Sequence, residues 1–181
     1  MSIEFLSELN NGRPEAIKSE TEEKIYSFLD ESGVEFLSIE HSPADTISVC
    51  HEIEKKLDAR ICKNLFLKNS AQTQYYLLLL DGDTKFESKV IAGQIGSTRL
   101  SFASSEKLFE YLGLEAGSVS VLGLINDIDL NVRLLIEDKL LDDEFFCCHP
   151  CKNTTTLKFR TSDIINRIIP AIGHNFTVVH T

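Results

Sequence analysis

The chain has 181 residues, 43% hydrophobic and 25% charged, which suits one domain with a core of ordinary size. Its longest apolar run, Tyr75–Leu80, is far too short to cross a bilayer, and Met1-Ser2-Ile3-Glu4 does not open a secretory signal, so the sequence reads as soluble and cytoplasmic with no membrane partner. A net charge of −10 argues against broad nucleic-acid binding, DNA included, and leaves room for one local basic groove drawn from residues such as Lys63, Lys68, Lys85 and Arg99.

Residues 1–18 read as a polar N-terminal extension with a turn at Asn10–Pro14, and residues 19–181 as one domain. Ser19 and Glu22 have the spacing of a capping box for a helix that carries Ile25, Phe28 and Leu29 on one face and stops at Gly33. Val34–Glu40 reads as a strand ended by His41-Ser42-Pro43, and Thr46 caps a second helix running to Leu57. Ile61–Leu67 and Tyr75–Leu80 read as strands joined by the polar hairpin Lys68–Gln74, followed by a turn at Asp81–Thr84. A helix is expected over Lys85–Gln94, a short strand over Arg99–Ala103, and a helix over Ser105–Leu112 between Ser104 and Gly113. Ser118–Ile125 and Val132–Glu137 are the next expected strand pair, joined by Asn126–Asn131; Phe145–Cys148 and Thr154–Phe159 follow. A last helix, Asp163–Ile169, and a strand, Phe176–His180, close the chain. This order predicts an α+β fold with a mixed, largely antiparallel sheet and flanking helices. No G-x-G-x-x-G or Walker pattern follows a strand, so no cofactor is expected.

Several positions could carry chemistry. Lys63 sits at the entrance of an apolar strand, where an ammonium must reach a groove edge or find a partner. Asn64 adds two donors and an acceptor beside it. Gly117 followed by Ser118, Val119 and Ser120 allows close approach of a ligand to the backbone. His149, before Pro150, and His41, before Ser42-Pro43, have ordinary pKa values near neutrality. Each has a plainer reading: a solvated lysine, a strand-edge amide, a simple turn, a packed histidine. The five cysteines, Cys50, Cys62, Cys147, Cys148 and Cys151, read as reduced thiols, since only one close pair is present where a zinc site would need two, and no metal is assigned. No nucleophile elbow is present.

Cys62-Lys63-Asn64-Leu65-Phe66-Leu67, in order with His41-Ser42-Pro43, Gly117–Ser120, Asn126-Asp127, His149-Pro150 and Asn153-Thr154, resembles the YbaK/ProX family of free-standing aminoacyl-tRNA editing domains. The resemblance runs from about Thr21 to Val179. It implies a mixed sheet curled into a partial barrel, and a deacylase that removes alanine wrongly attached to proline tRNA, acting in trans on the 3′ acceptor end, with prolyl-tRNA synthetase as a further partner it admits. A missing methylene changes binding too little for the synthetase alone to reject alanine, so a second site corrects the error. Carried over, Lys63 anchors the terminal nucleotide or ester, Asn64 orients it, and His149 shapes the alanine pocket. His41, Ile47, Asn153 and the loop Gly117-Ser118-Val119-Ser120-Val121 contact the aminoacyl group. The family's loop commonly reads Gly-x-x-x-Pro, and Val121 stands here in place of the proline. Two other readings stay open: a deacylase for another small residue such as cysteine or serine, and a non-catalytic module that senses aminoacyl-tRNA or an amino acid.

Overall fold

The computed structural model describes residues 3–15, 17, 19–44 and 46–181, leaving aside the side chain of Ile47. Its elements in chain order are β1 (Asn10–Asn11), α1 (Glu20–Ser32), β2 (Phe36–Glu40), α2 (Ile47–Leu57), β3 (Arg60–Asn69), β4 (Tyr75–Asp81), α3 (Ser88–Gln94), β5 (Leu100–Phe102) and α4 (Ser105–Leu112). A 3-10 helix (Val121–Asn126) precedes β6 (Val132–Glu137), α5 (Asp138–Asp142), β7 (Phe145–Cys148) and β8 (Thr155–Arg160). The last helical segment begins as α6 (Thr161–Asp163), widens through a π-helical stretch at Ile164–Ile168, and ends as α7 (Ile169–Ala171) before β9 (Phe176–Val179).

Among the described residues the strands form one sheet in the order β1-β2-β8-β7-β3-β4-β6-β9, with β5 beside the far end of β3. Most pairings are antiparallel; β3–β7, β4–β6 and β6–β9 are parallel. The sheet does not close on itself, and the α+β class with flanking helices is as the sequence predicts.

Tyr75–Leu80 is apolar at every position because β4 is buried on both faces. Tyr75, Leu77 and Leu79 enter the main core with Ile25 and Leu29 of α1, Leu108 and Leu112 of α4, and Ile164 and Ile168. Tyr76, Leu78 and Leu80 enter a second core with Ile91 and Ala92 of α3 and Leu135 of β6. Ile53 and Leu57 of α2 form a third cluster with Ile39 and Cys147.

Local signals fix the helix ends. The Ser19 hydroxyl accepts the Glu22 N–H at 3.2 Å, and Gly33 stops α1 in the left-handed conformation at φ 61°. Residues of the expected N-terminal extension lie along β2, with Asn10 opposite Ser38 and Phe5 bridged to His41. The expected strand Ser118–Ile125 is instead a loop and the 3-10 helix. Ser120 caps it by accepting the Leu122 N–H at 3.3 Å, and Val121, Leu122 and Leu124 are all buried. A short apolar run of this kind carries no period that separates strand from helix. Accordingly β6 pairs with β4 and β9. The helix expected from Lys85 begins only at Ser88.

Glu137, at the end of β6, is a fully buried carboxylate. It accepts the Asp81 N–H at 2.7 Å and the Thr84 hydroxyl at 3.0 Å, takes the Thr181 hydroxyl, and meets the Lys139 ammonium at 3.2 Å. These donors hold its pKa below the usual carboxylate value against the opposing effect of burial, which alone would raise it. Glu137→Gln cannot satisfy the same donors, and we expect it to lower the free energy of unfolding by about 1–3 kcal/mol, read from urea midpoints. An unchanged midpoint would show that the network contributes nothing net.

Candidate functional site

β3 changes partners along its length. It pairs with β7 only at Arg60↔Phe146 and Ile61↔Cys147, and with β5 only from Leu67 to Asn69. Between these contacts Cys62–Phe66 have a strand neighbour, β4, on one side only. β7 ends at Cys148 and the chain leaves the sheet at His149. The gap between β3 and β7 holds a cavity of about 220 Å³.

Ile61, Cys62 and Asn64 of β3 line one side of it, and Cys148 and His149 the other. Thr155 and Thr156 of β8 and His41, just beyond β2, complete the sheet's contribution. Ala44 lies before α2, which adds Cys50 and Ile53; the loops add Gly117, Val119 and Asn153. Larger surface hollows exist, and charged side chains dominate the wall of one of about 510 Å³ beside Arg60, Asp81 and Lys85.

No Asp, Glu, Lys or Arg is among the described residues that line the 220 Å³ cavity. Burial pushes the Cys62 thiol up to about 12, and raises Cys148 and Cys50 as well. Burial, assisted by the neighbouring His41, lowers His149 to about 4 against a hydrogen bond to the Val119 carbonyl. His149 is therefore a neutral ring at neutral pH, where its sequence alone would have allowed proton transfer. His41 lies 2.8 Å from the Ser42 carbonyl through Nδ1 and 2.9 Å from the Thr156 hydroxyl through Nε2. A carbonyl only accepts, which assigns the proton to Nδ1 and makes Nε2 the acceptor of the Thr156 hydroxyl in the neutral ring.

Two enclosed polar atoms on this wall have no partner among the described residues: Asn64 Oδ1, an acceptor, and His149 Nδ1, an acceptor in the tautomer that carries its proton on Nε2. The Asn64 amide is held by its other end, where Nδ2 donates to the Cys62 carbonyl at 3.2 Å. His149 is held through its main chain, since its carbonyl accepts the Ser120 hydroxyl at 2.7 Å. A buried polar atom without a partner carries a desolvation cost of about 1–3 kcal/mol, which a ligand donor can relieve.

The structure thus brings together Asn64, His149, His41, Gly117, Val119 and Asn153. Gly117 adopts φ +88°, and the space where its Cβ would stand is open. Ser118 turns back to donate to the Glu115 carbonyl at 2.8 Å, Ser120 braces His149, and Val121 is buried in the main core, so these three stand behind the cavity rather than on its wall. Ile47 opens α2, but its side chain lies outside the described residues. Lys63 does not line the cavity; its ammonium donates to the Thr84 carbonyl at 2.9 Å. The turn that holds it is close to the site, because Asp83 meets His51 of α2 at 3.3 Å and the preceding residue, Cys50, lines the cavity. Sequence reading missed Thr156, whose hydroxyl fixes the His41 ring and which reads simply as a β-branched strand residue.

Residues 41–166 match the aminoacyl-tRNA editing domain family. The chain is 33% identical over 160 residues to the prolyl-tRNA editing protein ProX of Acetoanaerobium sticklandii, covering 88% of this chain and 97% of that protein. It is 27% identical over 141 residues to the mouse prolyl-tRNA synthetase associated domain-containing protein 1, covering 76% of this chain and 82% of that protein. A crystal structure described as a candidate trans-editing enzyme for prolyl tRNA synthetase superposes with a TM-score of 0.65 at 16% identity, over 90% of this chain and 98% of that one, a likeness of fold. The chain belongs to the aminoacyl-tRNA editing domain family.

The lowered pKa of His149 has a consequence for stability. The folded ring takes a proton only near pH 4, whereas the ordinary value is 6.5. The unfolded chain therefore binds the proton first, and stability is complete above that ordinary value and declines as pH falls toward the folded one. The decline amounts to at most about 3 kcal/mol. We expect His149→Gln to flatten this part of the stability profile, measured by urea unfolding from neutral pH downward. Parallel profiles for the two proteins would contradict the assignment of a neutral buried ring.

Proposed function

We propose that this member of the editing family is a trans-acting deacylase that hydrolyses the ester joining a small amino acid, alanine first, to the 3′ end of proline tRNA, working in the cytoplasm alone or beside prolyl-tRNA synthetase. The observation that carries the reading is the neutral cavity at the fork of the sheet, with Asn64 Oδ1 and His149 Nδ1 left as unpartnered acceptors. Esterified alanine offers a small apolar side chain and an α-amine whose N–H groups suit two such acceptors. An uncharged wall favours the amine in its neutral form.

In this reading the alanine side chain enters between α2 and His149, and the ester lies beside Gly117, where the absent Cβ permits close approach to the backbone. Water attacks the ester carbonyl, the carbonyl oxygen takes up negative charge, and the ribose oxygen leaves with a proton. His149 accepts a hydrogen bond and does not supply that proton, since its ring is neutral. The family resemblance assigns activation of the water in part to the substrate's own terminal hydroxyl, in keeping with the raised thiol pKa values of Cys62 and Cys148. Lys63, its ammonium held by the Thr84 carbonyl, is in this reading the local cation that an acidic chain needs for a phosphate or ester of the tRNA.

The same acceptors would take the hydroxyl of serine or the thiol of cysteine, so selectivity is read from a panel. Purified protein is incubated with Ala-, Pro-, Cys- and Ser-charged tRNAs. Alanine is expected to be released from proline tRNA and proline retained. Lys63→Ala is expected to slow release by about 10²-fold, and Asn64→Ala by about 10-fold or more. Hydrolysis of none of the four would replace the deacylase with a binding module.

A further inference from the structure

Strand alternation sets Lys63 on the opposite face of β3 from Cys62 and Asn64. Its ammonium ends on a main-chain carbonyl, that of Thr84, in the turn that follows β4. A carbonyl orients an ammonium without cancelling its charge, which a carboxylate in the same place would do. A lysine stem is among the most mobile of side chains, and its ammonium acts as a point charge whose effect depends on where it is held.

The turn is fastened from beneath. Glu137 accepts the Asp81 N–H through one oxygen at 2.7 Å and the Thr84 hydroxyl through the other at 3.0 Å. It therefore grips both ends of Asp81–Thr84. On the outer side Arg60 pairs with Asp81, and His51 meets Asp83 at 3.3 Å. The Glu137 contacts hold the two ends of the turn that carries the Thr84 carbonyl.

We infer that Thr84 is a positioning residue for Lys63, with the buried Glu137 fixing Thr84 in turn, so that the deacylation rate depends on a hydroxyl–carboxylate contact outside the cavity. This rests on the reading in which Lys63 acts on the terminal nucleotide or the ester. Neither Thr84 nor Glu137 lines the cavity, and their effect passes through the lysine.

The test is a double-mutant cycle in deacylation of Ala-charged proline tRNA. Thr84→Val keeps the branched shape and the main-chain carbonyl while removing the hydroxyl; Thr84→Ser restores it. Glu137→Gln is the second entry point to the same contact. We expect Thr84→Val to lower kcat by about 5- to 10-fold with KM within about twofold, and Thr84→Ser to remain within about twofold of the parent. In a Lys63→Ala background, Thr84→Val and Glu137→Gln should each change the residual rate by less than about twofold, because the group they position is gone. Thermal unfolding of each variant monitors the fold. Equal losses with and without Lys63 would make the network a scaffold and overturn the inference, as would an undiminished rate in Thr84→Val. A Lys63→Ala protein as active as the parent would overturn the role of Lys63 itself, and is read from that single variant.

Discussion

β3 pairs with β7 at Arg60 and Ile61 and then leaves it. The candidate site depends on this departure. A sheet continuous across β7 and β3 would have no room for a ligand between them, and buried main-chain groups along the gap must be satisfied by something other than a strand. Asn64 supplies part of that need by donating to the Cys62 carbonyl. Because this bond uses the amide's NH₂, the amide oxygen is left over with no partner among the described residues. The side chain that repairs the break in the sheet therefore also presents the acceptor that makes the break useful. On the far side, the Ser120 hydroxyl holds the His149 carbonyl, so the ring follows a fixed main chain.

The electrostatics divide the molecule into two regions. The cavity wall carries no carboxylate, lysine or arginine among the described residues, and burial keeps His149 and the thiols uncharged. Charge collects around the turn Asp81–Thr84, where Arg60, Lys63, Lys139, Asp81 and Glu137 meet. In the proposed reading the wall measures size and hydrogen-bond donors, and the charged margin engages phosphate. A net charge of −10 is compatible with both, since neither region calls for a basic surface over the whole molecule.

Much of the fold was legible because its signals are local. Ser104 accepts the Lys107 N–H at 3.3 Å and Gly113 adopts φ 64°, so both ends of α4 could be read from single residues. The apolar run of β4 likewise announced a strand. What escaped was non-local. Glu137 meets its partners across 56, 53 and 44 positions of sequence, and nothing in Val132–Glu137 names them. Adjacency in sequence also suggested that Lys63 and Asn64 share one site, whereas the period of a strand sends neighbours to opposite faces. Asn64 reached the cavity and Lys63 reached Thr84 for that one reason.

The valine in place of the family's loop proline follows from the same placement. Val121 is the first residue of the 3-10 helix, a position where proline is welcome because no intrahelical bond needs its N–H. Proline would set the dihedral there from within the residue. In this chain the flanking contacts set it from outside: the Ser120 hydroxyl is shared between the His149 carbonyl and the Leu122 N–H, and the Val121 side chain is fully buried in the main core. Burial of a branched aliphatic side chain contributes about 1.5–3 kcal/mol, more than the roughly 1 kcal/mol that a restricted backbone adds through the unfolded chain. The loop can keep its shape without the proline because its anchor is the packed side chain, and Gly117 is left to face the cavity.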